Sequence, residues 1–431
     1  MTAGADEAWA RCGAMALTGA PDGPPLAPGA PVVARLREAS EAVEVLSGRV
    51  GRRMRVDGAQ LLGERAACAG LRRRGRISAG GSCRLVATSD AWLAVNLARP
   101  ADVDLLPAWL GGDALDRHRA ADLAARAQLL GLPVGLVAEP ADAAADEQAV
   151  ARGQSFPFAP FLVDGRPAGP AFDGCGRRPS TRSRPSPFVV VDLSSLWAGP
   201  LCAHLLGLAG GRVIKVESIR RVDGARSGPS AFFDLLHAGH ESVALDFESE
   251  PGRRALHRLV DTADVVIESS RPRALAQLGL EPQEVLARRP TLTWVAITGY
   301  GRSGPWADRV AFGDDAAAAA GLVAMSDRGP VFCADAVADP VAGLYAALGA
   351  LASMVDGGGH LVDVALREAA GHLLASMPRR RSHDRAAERE RDAPWRVGAT
   401  TVAPPTARPA NGPGPSLGAH TDAVLGELGV R

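Results

Sequence analysis

The chain has 431 residues, 47% of them hydrophobic, and its 48 basic residues balance 48 acidic ones. Such a length and composition predict a globular protein with more than one core, divided into two or three domains. A neutral chain has no basic excess for a nucleic acid or an anionic membrane, so we expect neither as a partner.

The cysteines and histidines are not spaced as in known metal sites. Three histidines cluster near Cys202, but their offsets fit no metal-binding motif, so we expect no metal. The cysteines lack CxxC spacing and are expected to be reduced thiols. They are Cys12, Cys68, Cys83, Cys175, Cys202 and Cys333. The N-terminus lacks a signal-peptide pattern and no apolar run reaches 18 residues, so a cytoplasmic protein is expected.

Two changes in composition divide the chain. Residues 165–187 are rich in Pro, Gly, Ser and Arg, which cannot build a packed core and therefore predict a linker. A second break, Arg379–Val397, is dense in Arg and Glu and leads through a Pro/Gly-rich stretch to a short helical ending, HTDAVLGELGV.

Apolar runs alternate with helical patterns after the first linker. This alternation predicts βαβ units and a parallel sheet, in which ligands bind at the carboxyl ends of the strands. The runs are FVVVDL (188–193), RVIKVE (212–217), DVVIES (264–269) and LTWVAITGYG (292–301). The candidate binding loops are therefore Ser194–Pro200, Glu217–Gly224, Ser269–Arg273 and Gly299–Pro305.

Residues 13–36 align without a gap on residues 321–344, which predicts an internal repeat. Each copy leads into an amphipathic helix and then a β-like stretch containing Val-Asp, at Val56-Asp57 and Val362-Asp363. In this register Pro31 faces Asp339. Two unrelated Ala/Gly-rich helices remain an alternative, because helical patterns of this composition are common.

The loops after the first two strands of the α/β half offer anion-binding groups. Ala198-Gly199-Pro200 is a close-approach turn with a proline suited to the first helical position, so a helix N-terminus can face an anion. Arg220, Arg221 and Arg226 follow the strand bearing Glu217 and can clamp a phosphate. A plain βα turn and a solvated basic loop are the alternatives.

Asp339 stands immediately before a predicted helix, with Pro340 as the first helical residue. An aspartate there can be an ordinary helix cap. The same position also exposes a carboxylate beside a positive helix end, where it stays ionised and available as a nucleophile. The local pattern leaves both possibilities open.

Five segments, in order, resemble the class III CoA-transferases, the family that also contains α-methylacyl-CoA racemase. They cover most of residues 187–431. The segments are VVVDLSSLWAGPLCAHLLGLAGGRVIKVE, HESVALDFESEPGRRALHRLVDTADVVIESSRP, TGYGRSGPWADR, ADPVAGLYAALGAL and SLGAHTDAVLGELGV.

The first half resembles the family's small domain, displaced along the chain. RGRISAGGSCRLVATSDAWLAVNLARP and RAQLLGLPVGLVAEP carry this likeness. In ordinary members the small domain lies between the large-domain block and the closing segment, whereas here it precedes both. The expected organisation is a degenerate repeat of the large-domain mid-segment (1–60), a small-domain-like region (61–164), a linker (165–187), a CoA-binding large domain (188–378) and a Pro/Gly-rich linker with a closing helical segment (379–431).

The resemblance implies an α/β fold, with a Rossmann-like parallel-sheet large domain and a smaller α+β domain. It implies transfer of coenzyme A between an acyl-CoA thioester and a carboxylic acid acceptor, with Asp339 forming covalent intermediates. Backbone N–H groups at Gly80 and Gly81, which match part of the family's glycine loop, would shelter those intermediates. The implied CoA site comprises Ser195, Ala198, Gly199, Glu217, Arg220, His240, Ser269, Arg271, Gly299, Gly301 and Gly304.

Several positions depart from the family pattern. Ser195 and Trp197 stand where formyl-CoA transferase-like members carry His and Gln. His240-Glu241 replaces Lys-Arg, and Ser269-Ser270 replaces Asn-Phe. Acceptor choice and CoA affinity are therefore open.

Two alternatives to CoA transfer follow from these departures and from the degenerate first half. A 2-methylacyl-CoA racemase or isomerase needs paired acid/base groups; Phe312 stands where that branch has His, although Asp314 and Asp315 could substitute. A catalytically inactive CoA-binding subunit is the other. The resemblance also implies a homodimer of interlaced rings, and the displaced small domain would let the ring close within one chain or between two.

Overall fold

A computed structural model describes residues 2–168, 187–374, 386–389 and 393–429. Most of the predicted linker 165–187, much of Arg379–Val397, and Cys175 lie outside the described residues.

The elements are numbered in chain order. The helices are α1 (Thr2–Arg11), α2 (Val32–Val50), α3 (Glu64–Ala69), α4 (Pro100–Asp104), α5 (Leu106–Leu110), α6 (Ala120–Leu129), α7 (Pro140–Ala145), α8 (Glu147–Ala151), α9 (Ala198–Leu208), α10 (Ser230–His237), α11 (Glu250–Thr262), α12 (Pro272–Ala276), α13 (Pro282–Arg288), α14 (Gly313–Ala319), α15 (Ala338–Val355), α16 (Leu366–His372) and α17 (Thr421–Glu427). Short 3-10 helices lie at Met15–Leu17, Gln60–Gly63, Leu115–Arg117 and Gly224–Ser227.

The strands are β1 (Cys83–Ala87), β2 (Trp92–Asn96), β3 (Val134–Leu136), β4 (Phe161–Val163), β5 (Arg166–Ala168), β6 (Val189–Asp192), β7 (Arg212–Ser218), β8 (Glu241–Leu245), β9 (Val265–Glu268), β10 (Thr293–Thr298), β11 (Val323–Ser326), β12 (Gly329–Phe332), β13 (Leu361–Ala365), β14 (Arg396–Val397) and β15 (Thr400–Thr401).

One large sheet organises the second half, with the strand order β5-β4-β13-β10-β9-β6-β7-β8. From β13 to β8 all neighbours run parallel. The four predicted apolar runs form β6, β7, β9 and β10, which are almost entirely buried, as parallel strands covered by helices are. The predicted α/β class with a Rossmann-like parallel sheet is confirmed.

Helix α15 is a buried helix that packs on the large sheet. It packs against α9, α2 and the strands β10 and β13. Its mean hydropathy of 1.4 over 18 residues would suit a membrane span by length and composition alone. No such apolar segment was expected from the sequence. In the fold, 89% of that helix is buried inside the protein, where an all-round apolar surface is required.

The first half contains a smaller α+β unit. Strands β1, β2 and β3 form an antiparallel sheet, and α6 packs on it through Leu123 and Ala127, with Trp109 and Val134 in the same core. Strand β4, which the predicted boundary at 164 assigns to the small-domain-like region, instead pairs antiparallel with β13 at the edge of the large sheet.

The two helices of the predicted repeat, α2 and α15, pack against each other. They begin two positions apart in the predicted register, since α2 starts after Pro31 and α15 starts at Ala338. The expectation of a β-like stretch at Val56-Asp57 is wrong: Asp57 Oδ1 accepts the N–H of Ala59 at 3.0 Å and turns the chain into the 3-10 helix that follows. Val362 and Asp363 do lie in a strand, β13.

Candidate active site

Asp339 is the second residue of α15, and the helix cap is Val337. The expectation that Asp339 precedes the helix and that Pro340 opens it is therefore corrected: Pro340 is the third helical residue. Proline is tolerated there because N–H groups of the first turn have no acceptor within the helix. The Asp339 carboxylate accepts a hydrogen bond from the N–H of Gly313, on another helix.

The contact with Asp339 requires a glycine at position 313, because there is no space for a side chain. A Cβ at position 313 would lie 2.4 Å from the Ala336 carbonyl oxygen and 2.6 Å from Asp339 Oδ2. Gly313 is the first residue of α14, so its N–H is free of intrahelical bonds and points at the carboxylate. No motif in the sequence marks this glycine.

A pocket of about 220 Å³ lies against Asp339 and is lined from both halves of the chain. The N-terminal half contributes Arg65, Ser82, Asn96 and Ala98, whereas the apolar wall comes from Leu196, Trp197, Phe232 and Phe312 of the second half. Within this chain, the small-domain-like region therefore closes the space above the predicted nucleophile.

A larger groove of about 410 Å³ lies on the first half, between α1, α2 and residues 56–59. Arg11, Arg37, Glu41 and Glu44 line it, and none of the predicted site residues does. The smaller pocket is the better candidate because it contains the predicted nucleophile beside a mostly apolar wall.

The carboxyl groups of Asp314 and Asp339 line the pocket with the Arg65 guanidinium, and the fully buried Asp335 is bonded to Arg65. Burial raises the pKa of Asp339 to about 7; Arg65 opposes that rise, while Asp314 and Asp335 add to it. Burial, and then the charge of Asp335, raises the pKa of Asp314 to about 6. The expectation that Asp339 simply stays ionised therefore needs revision, since near neutrality it exchanges between its two forms.

Arg65, from α3 of the first half, is held from two sides. Its Nε donates to Asp335 Oδ2 at 2.8 Å, and the guanidinium carbon lies 5.2 Å from the centre of the Trp197 ring. The predicted glycine loop lies beside this pair: a Cβ on Gly80 would be 3.0 Å from an Arg65 nitrogen, and Gly81 adopts a φ of +88°. The structure thus brings Gly80 and Gly81 to the edge of the pocket.

Asp315 differs from its neighbour Asp314. Asn96 Nδ2 donates to Asp315 Oδ1 at 2.9 Å, and the Phe312 N–H donates to the same oxygen at 3.0 Å. Burial raises the Asp315 pKa well above its usual value. Asp315 therefore ties β2 to α14, and only Asp314 of the pair lines the pocket.

The carboxyl ends of β6 and β9 bring predicted residues together. The Ser195 N–H donates to Ser269 Oγ at 3.2 Å, and both residues are exposed. Leu196, with φ +71°, donates its N–H to Asp223 Oδ1 at 3.0 Å, which fixes this turn as a wall of the pocket. Polar groups and a pocket wall meet at this edge, as expected for a parallel sheet.

An arginine cluster adjoins the same edge. Partial burial lowers the pKa of Arg271, and the charges of Arg99, Arg221 and Arg273 lower it further. Arg99 also lies 5.9 Å from the centre of the Phe312 ring, at the pocket wall. Arg99 and Arg273 already pair with carboxylates, Asp102 at 2.6 Å and Asp308 at 3.2 Å, so an anion such as a phosphate would bind through Arg221 and Arg271.

Other predicted residues are packed beneath the edge. A Cβ on Gly199 would lie 2.1 Å from Ser194 Oγ, and Ala198 is buried with its carbonyl oxygen against Gly343 of α15. Glu217 is buried and accepts from Arg226 at 2.6 Å. Gly199 and Ala198 therefore serve in packing, and Glu217 serves in a buried ion pair.

Arg220 and His240 are not brought to the pocket. Arg220 is exposed and pairs with Asp246 at 3.4 Å and Glu248 at 3.2 Å. His240 precedes β8, at the amino end of the sheet and so opposite the binding edge. Burial lowers the pKa of His240 to about 3, and its ring centre lies 6.2 Å from that of His204.

The glycine loop after β10 receives side chains from the first half. A Cβ on Gly301 would lie 2.1 Å from the guanidinium carbon of Arg152, and one on Gly304 would lie 2.6 Å from Gln148 Oε1. Gly299 packs against Ala311, 2.8 Å from a Cβ placed on it. These glycines let α8 and the residue that follows it dock on the large sheet.

Lys215, the only lysine of the chain, supports the pocket wall from below. Its Nζ lies 2.9 Å from Asp223 Oδ2 and 3.7 Å from Asp192 Oδ2, and it donates to the Ser194 carbonyl at 3.0 Å. All three charged side chains are fully buried. Asp223 in turn holds Leu196, so the network positions a residue that lines the pocket.

Among the residues that the structure describes, no group of three or more His, Cys, Asp or Glu side chains could hold a metal ion. The five cysteines it describes are free thiols.

The fold and the pocket define an α/β protein with a carboxylate at a pocket on the carboxyl edge of a parallel sheet. The model of CoA-transferase family III matches residues 186–407, just over half of the chain. The chain belongs to this family, and the resemblance drawn from the sequence is confirmed.

The chain is similar to curated CoA-transferases over part of their length. It is 32% identical over 202 residues to succinyl-CoA–D-citramalate CoA-transferase of Chloroflexus aurantiacus, covering 44% of this chain and 50% of that protein. It is 30% identical over 207 residues to succinate–glutarate CoA-transferase of Agrobacterium fabrum, covering 43% and 52%. The chain thus spans about half the length of the curated relatives it matches.

Among solved structures, a CAIB/BAIF family protein from Brucella suis is 31% identical, with a TM-score of 0.42, over 44% of this chain and 55% of that one.

Proposed function

We propose that this chain transfers coenzyme A between an acyl-CoA thioester and a carboxylic acid, with Asp339 as the nucleophile. The observation that carries the proposal is the position of Asp339, at a pocket that adjoins the carboxyl edge of the sheet and an arginine cluster. Membership of CoA-transferase family III supports the same reaction class.

The covalent steps balance without any external oxidant or metal. The Asp339 carboxylate attacks the acyl carbonyl carbon and expels the CoA thiolate, which leaves a mixed anhydride. The thiolate then attacks the aspartyl carbonyl, releases the first carboxylate and forms an aspartyl-CoA thioester. The second carboxylate attacks this thioester, and the released thiolate takes its acyl group from the resulting anhydride, so Asp339 is regenerated.

The surroundings of Asp339 suit these steps. The Gly313 N–H orients the attacking carboxylate. In the glycine loop the Gly81 N–H already donates to the Ser78 carbonyl at 2.9 Å, so the Gly80 N–H is the one that would face a carbonyl oxygen gaining charge. The wall of Leu196, Trp197 and Phe232 excludes water, which would otherwise hydrolyse an anhydride.

The arginine cluster supplies the second half of the binding site. We assign the phosphates of CoA to Arg221 and Arg271, with Ser195 and Ser269 contributing hydroxyl groups at the same edge. From there the pantetheine arm would enter along Leu196 and Ala225 and bring the thioester to Asp339.

Chemical trapping tests the proposal. Wild-type protein is incubated with acetyl-, succinyl- or hexanoyl-CoA and then treated with hydroxylamine or borohydride, and the peptide containing Asp339 is weighed by mass spectrometry. We expect a hydroxamate or an alcohol at Asp339 in the wild type and in the matched control Asp327→Asn, an exposed loop aspartate. Asp339→Asn should give none. If the peptide stays unmodified with every donor while calorimetry shows CoA binding, the proposed transfer reaction is wrong. The chain would then be a catalytically inactive CoA-binding subunit.

A second candidate function, 2-methylacyl-CoA racemisation, is favoured by one observation. Asp314 lines the same pocket as Asp339, and its raised pKa, about 6, suits a group that gives and takes a proton near neutral pH. One enantiomer of a 2-methylacyl-CoA in deuterated water, without an acceptor acid, would gain α-deuterium only if this function is present.

We also propose a cytoplasmic homodimer. The free cysteines among the described residues suit a reducing compartment. Because the pocket is lined from both halves of one chain, a dimer would not be needed to complete it. Light scattering across a range of concentrations tests the dimer, and a constant monomer mass would contradict it.

A further inference from the structure

Arg65 is the residue through which the first half of the chain reaches the carboxyl cluster. It is carried by the short helix α3, and its side chain is 29% exposed at the pocket, while that of Asp335 is fully buried. Two of its nitrogens lie 2.8 and 2.5 Å from the two Asp335 oxygens, a bidentate geometry that fixes the plane of the guanidinium.

The guanidinium is also fixed from its face by Trp197, whose ring centre lies 5.2 Å from the guanidinium carbon. Trp197 caps helix α9 and is buried. Arg65 is therefore clamped between two elements of the second half and cannot swing away from the pocket without breaking both contacts.

Among the described residues that line the pocket, Arg65 is the one cation, so the charge balance there depends on it. Asp314 and Asp339 line the pocket, the fully buried Asp335 is bonded to Arg65, and the charge of Arg65 acts on all three carboxyl groups. Asp315 and Cys83 also interact with Asp314, and neither side chain can supply a positive charge. Like charges this close cannot all ionise without a counter-charge.

We propose that Arg65 is a positioning residue for the proposed transfer reaction: the first half of this chain supplies a guanidinium that holds Asp335 and favours the ionised, attacking form of Asp339. The inference rests on the proposed function of Asp339. It goes beyond that function because it assigns the N-terminal half a direct part in preparing the nucleophile within the same chain.

The test measures ionisation of Asp339 without any acyl-CoA, so it is independent of whether transfer occurs. 2-Bromoacetophenone alkylates the ionised carboxylate, and mass spectrometry follows the peptide containing Asp339 at pH values from about 5 to 9. In the wild type the rate should rise with pH and level off above the Asp339 pKa of about 7.

Two variants should move this profile in opposite directions. Arg65→Gln removes the counter-charge and should shift it upward by about one pH unit, which lowers the rate at pH 6 about tenfold. Asp335→Asn removes a like charge and should shift it downward. Arg65→Lys should restore part of the wild-type profile, and Arg55→Gln, at an exposed arginine paired with Glu44, should leave it unchanged.

A role in folding alone would not give opposite shifts. If Arg65→Gln lowers the yield of folded protein, Asp335→Asn and Arg65→Lys still decide the question. Identical profiles for the wild type, Arg65→Lys and Asp335→Asn would overturn the assignment, even if trapping shows that Asp339 carries CoA. Opposite shifts without any trapped intermediate would support Arg65 and reject the transfer reaction.

Discussion

Arg152, just after α8 in the first half, occupies the space that a side chain at Gly301 would need. The guanidinium cannot move aside, because its nitrogens bond Glu368 at 2.6 Å and Asp363 at 2.7 Å in a fully buried setting. The glycine loop of the large domain is thus shaped around a side chain from the other half. This contact fixes how the two halves of the chain meet at the glycine loop.

Gly301→Ala should destabilise the fold by about 2 kcal/mol, because it adds both a steric clash with Arg152 and an unfavourable positive φ. Gly239→Ala is the matched control: Gly239 also has a positive φ, +82°, but open space around its Cα. Urea unfolding compares the two. Equal losses for the two variants would mean that Arg152 does not restrict position 301.

The strands of the large domain could be predicted because their apolar runs are local and long. The runs at 188–193 and 264–269 contain β6 and β9 in full. Asp339 could also be predicted as a candidate from the sequence, because it lies where a helix starts. Arg65, Gly313 and Arg152 could not be predicted, because their partners lie far away in sequence. Packing of the two halves brings Arg65 and Arg152 to their partners, and packing of α14 against α15 brings Gly313 to Asp339.

Where prediction failed, tertiary contacts overrode the local pattern. His240 looked like part of the nucleotide site from its place in a family block, but the strand direction puts it at the opposite edge of the sheet. Gly301 and Gly304 resembled a ligand-binding loop, and their open faces are filled from within the chain by Arg152 and Gln148. A single sequence carries no signal for either outcome.

Lys215→Met should cost about 3–5 kcal/mol of folding stability, because it leaves Asp192 and Asp223 buried without a counter-ion. Adding Asp223→Asn should recover part of the loss, since one buried charge is then removed. Chemical denaturation of the single and double variants measures both effects. A single variant within about 1 kcal/mol of the wild type would show that Asp192 and Asp223 do not depend on Lys215 as a counter-ion.

Arg271→Gln and Arg221→Gln should each weaken CoA binding about tenfold, because each removes a cation from the cluster assigned to the phosphates. Arg220→Gln is the control, since Arg220 pairs with Asp246 and Glu248 away from the cluster. Isothermal titration with CoA and with pantetheine separates binding of the phosphates from binding of the pantetheine arm. If the cluster binds phosphates, pantetheine affinity stays constant; a loss for both ligands would argue against the assignment.

Acid should destabilise the fold through its buried histidines. Burial lowers the pKa of His204 to about 4 and of His240 to about 3, below the usual value of 6.5. The unfolded chain therefore binds protons first, so this stability is fully present above pH 6.5 and is lost as the pH falls towards those values. Each histidine contributes about 2 kcal/mol to the loss between pH 7 and pH 5.

His240→Leu should remove its share of that loss, so its stability should fall less steeply with acid than that of the wild type. His257→Leu is the control, because His257 is partly buried and hydrogen-bonded to the Leu278 carbonyl at 2.7 Å. Thermal unfolding at several pH values checks the slopes. Parallel curves for the wild type and His240→Leu would mean that His240 keeps its usual pKa.

Asp314→Asn separates the two reactions that the pocket could carry out. Transfer needs Asp339 alone as a covalent group, so aspartyl-CoA formation at pH 8 should stay within about twofold of the wild type. Its pH profile should shift downward, because Asp314 raises the Asp339 pKa and the amide carries no charge. Racemisation needs a proton acceptor beside the α-carbon, so α-deuterium exchange, where the wild type shows it, should disappear in this variant. Loss of the trapped intermediate at pH 8 with the fold intact would instead give Asp314 a part in the transfer reaction itself.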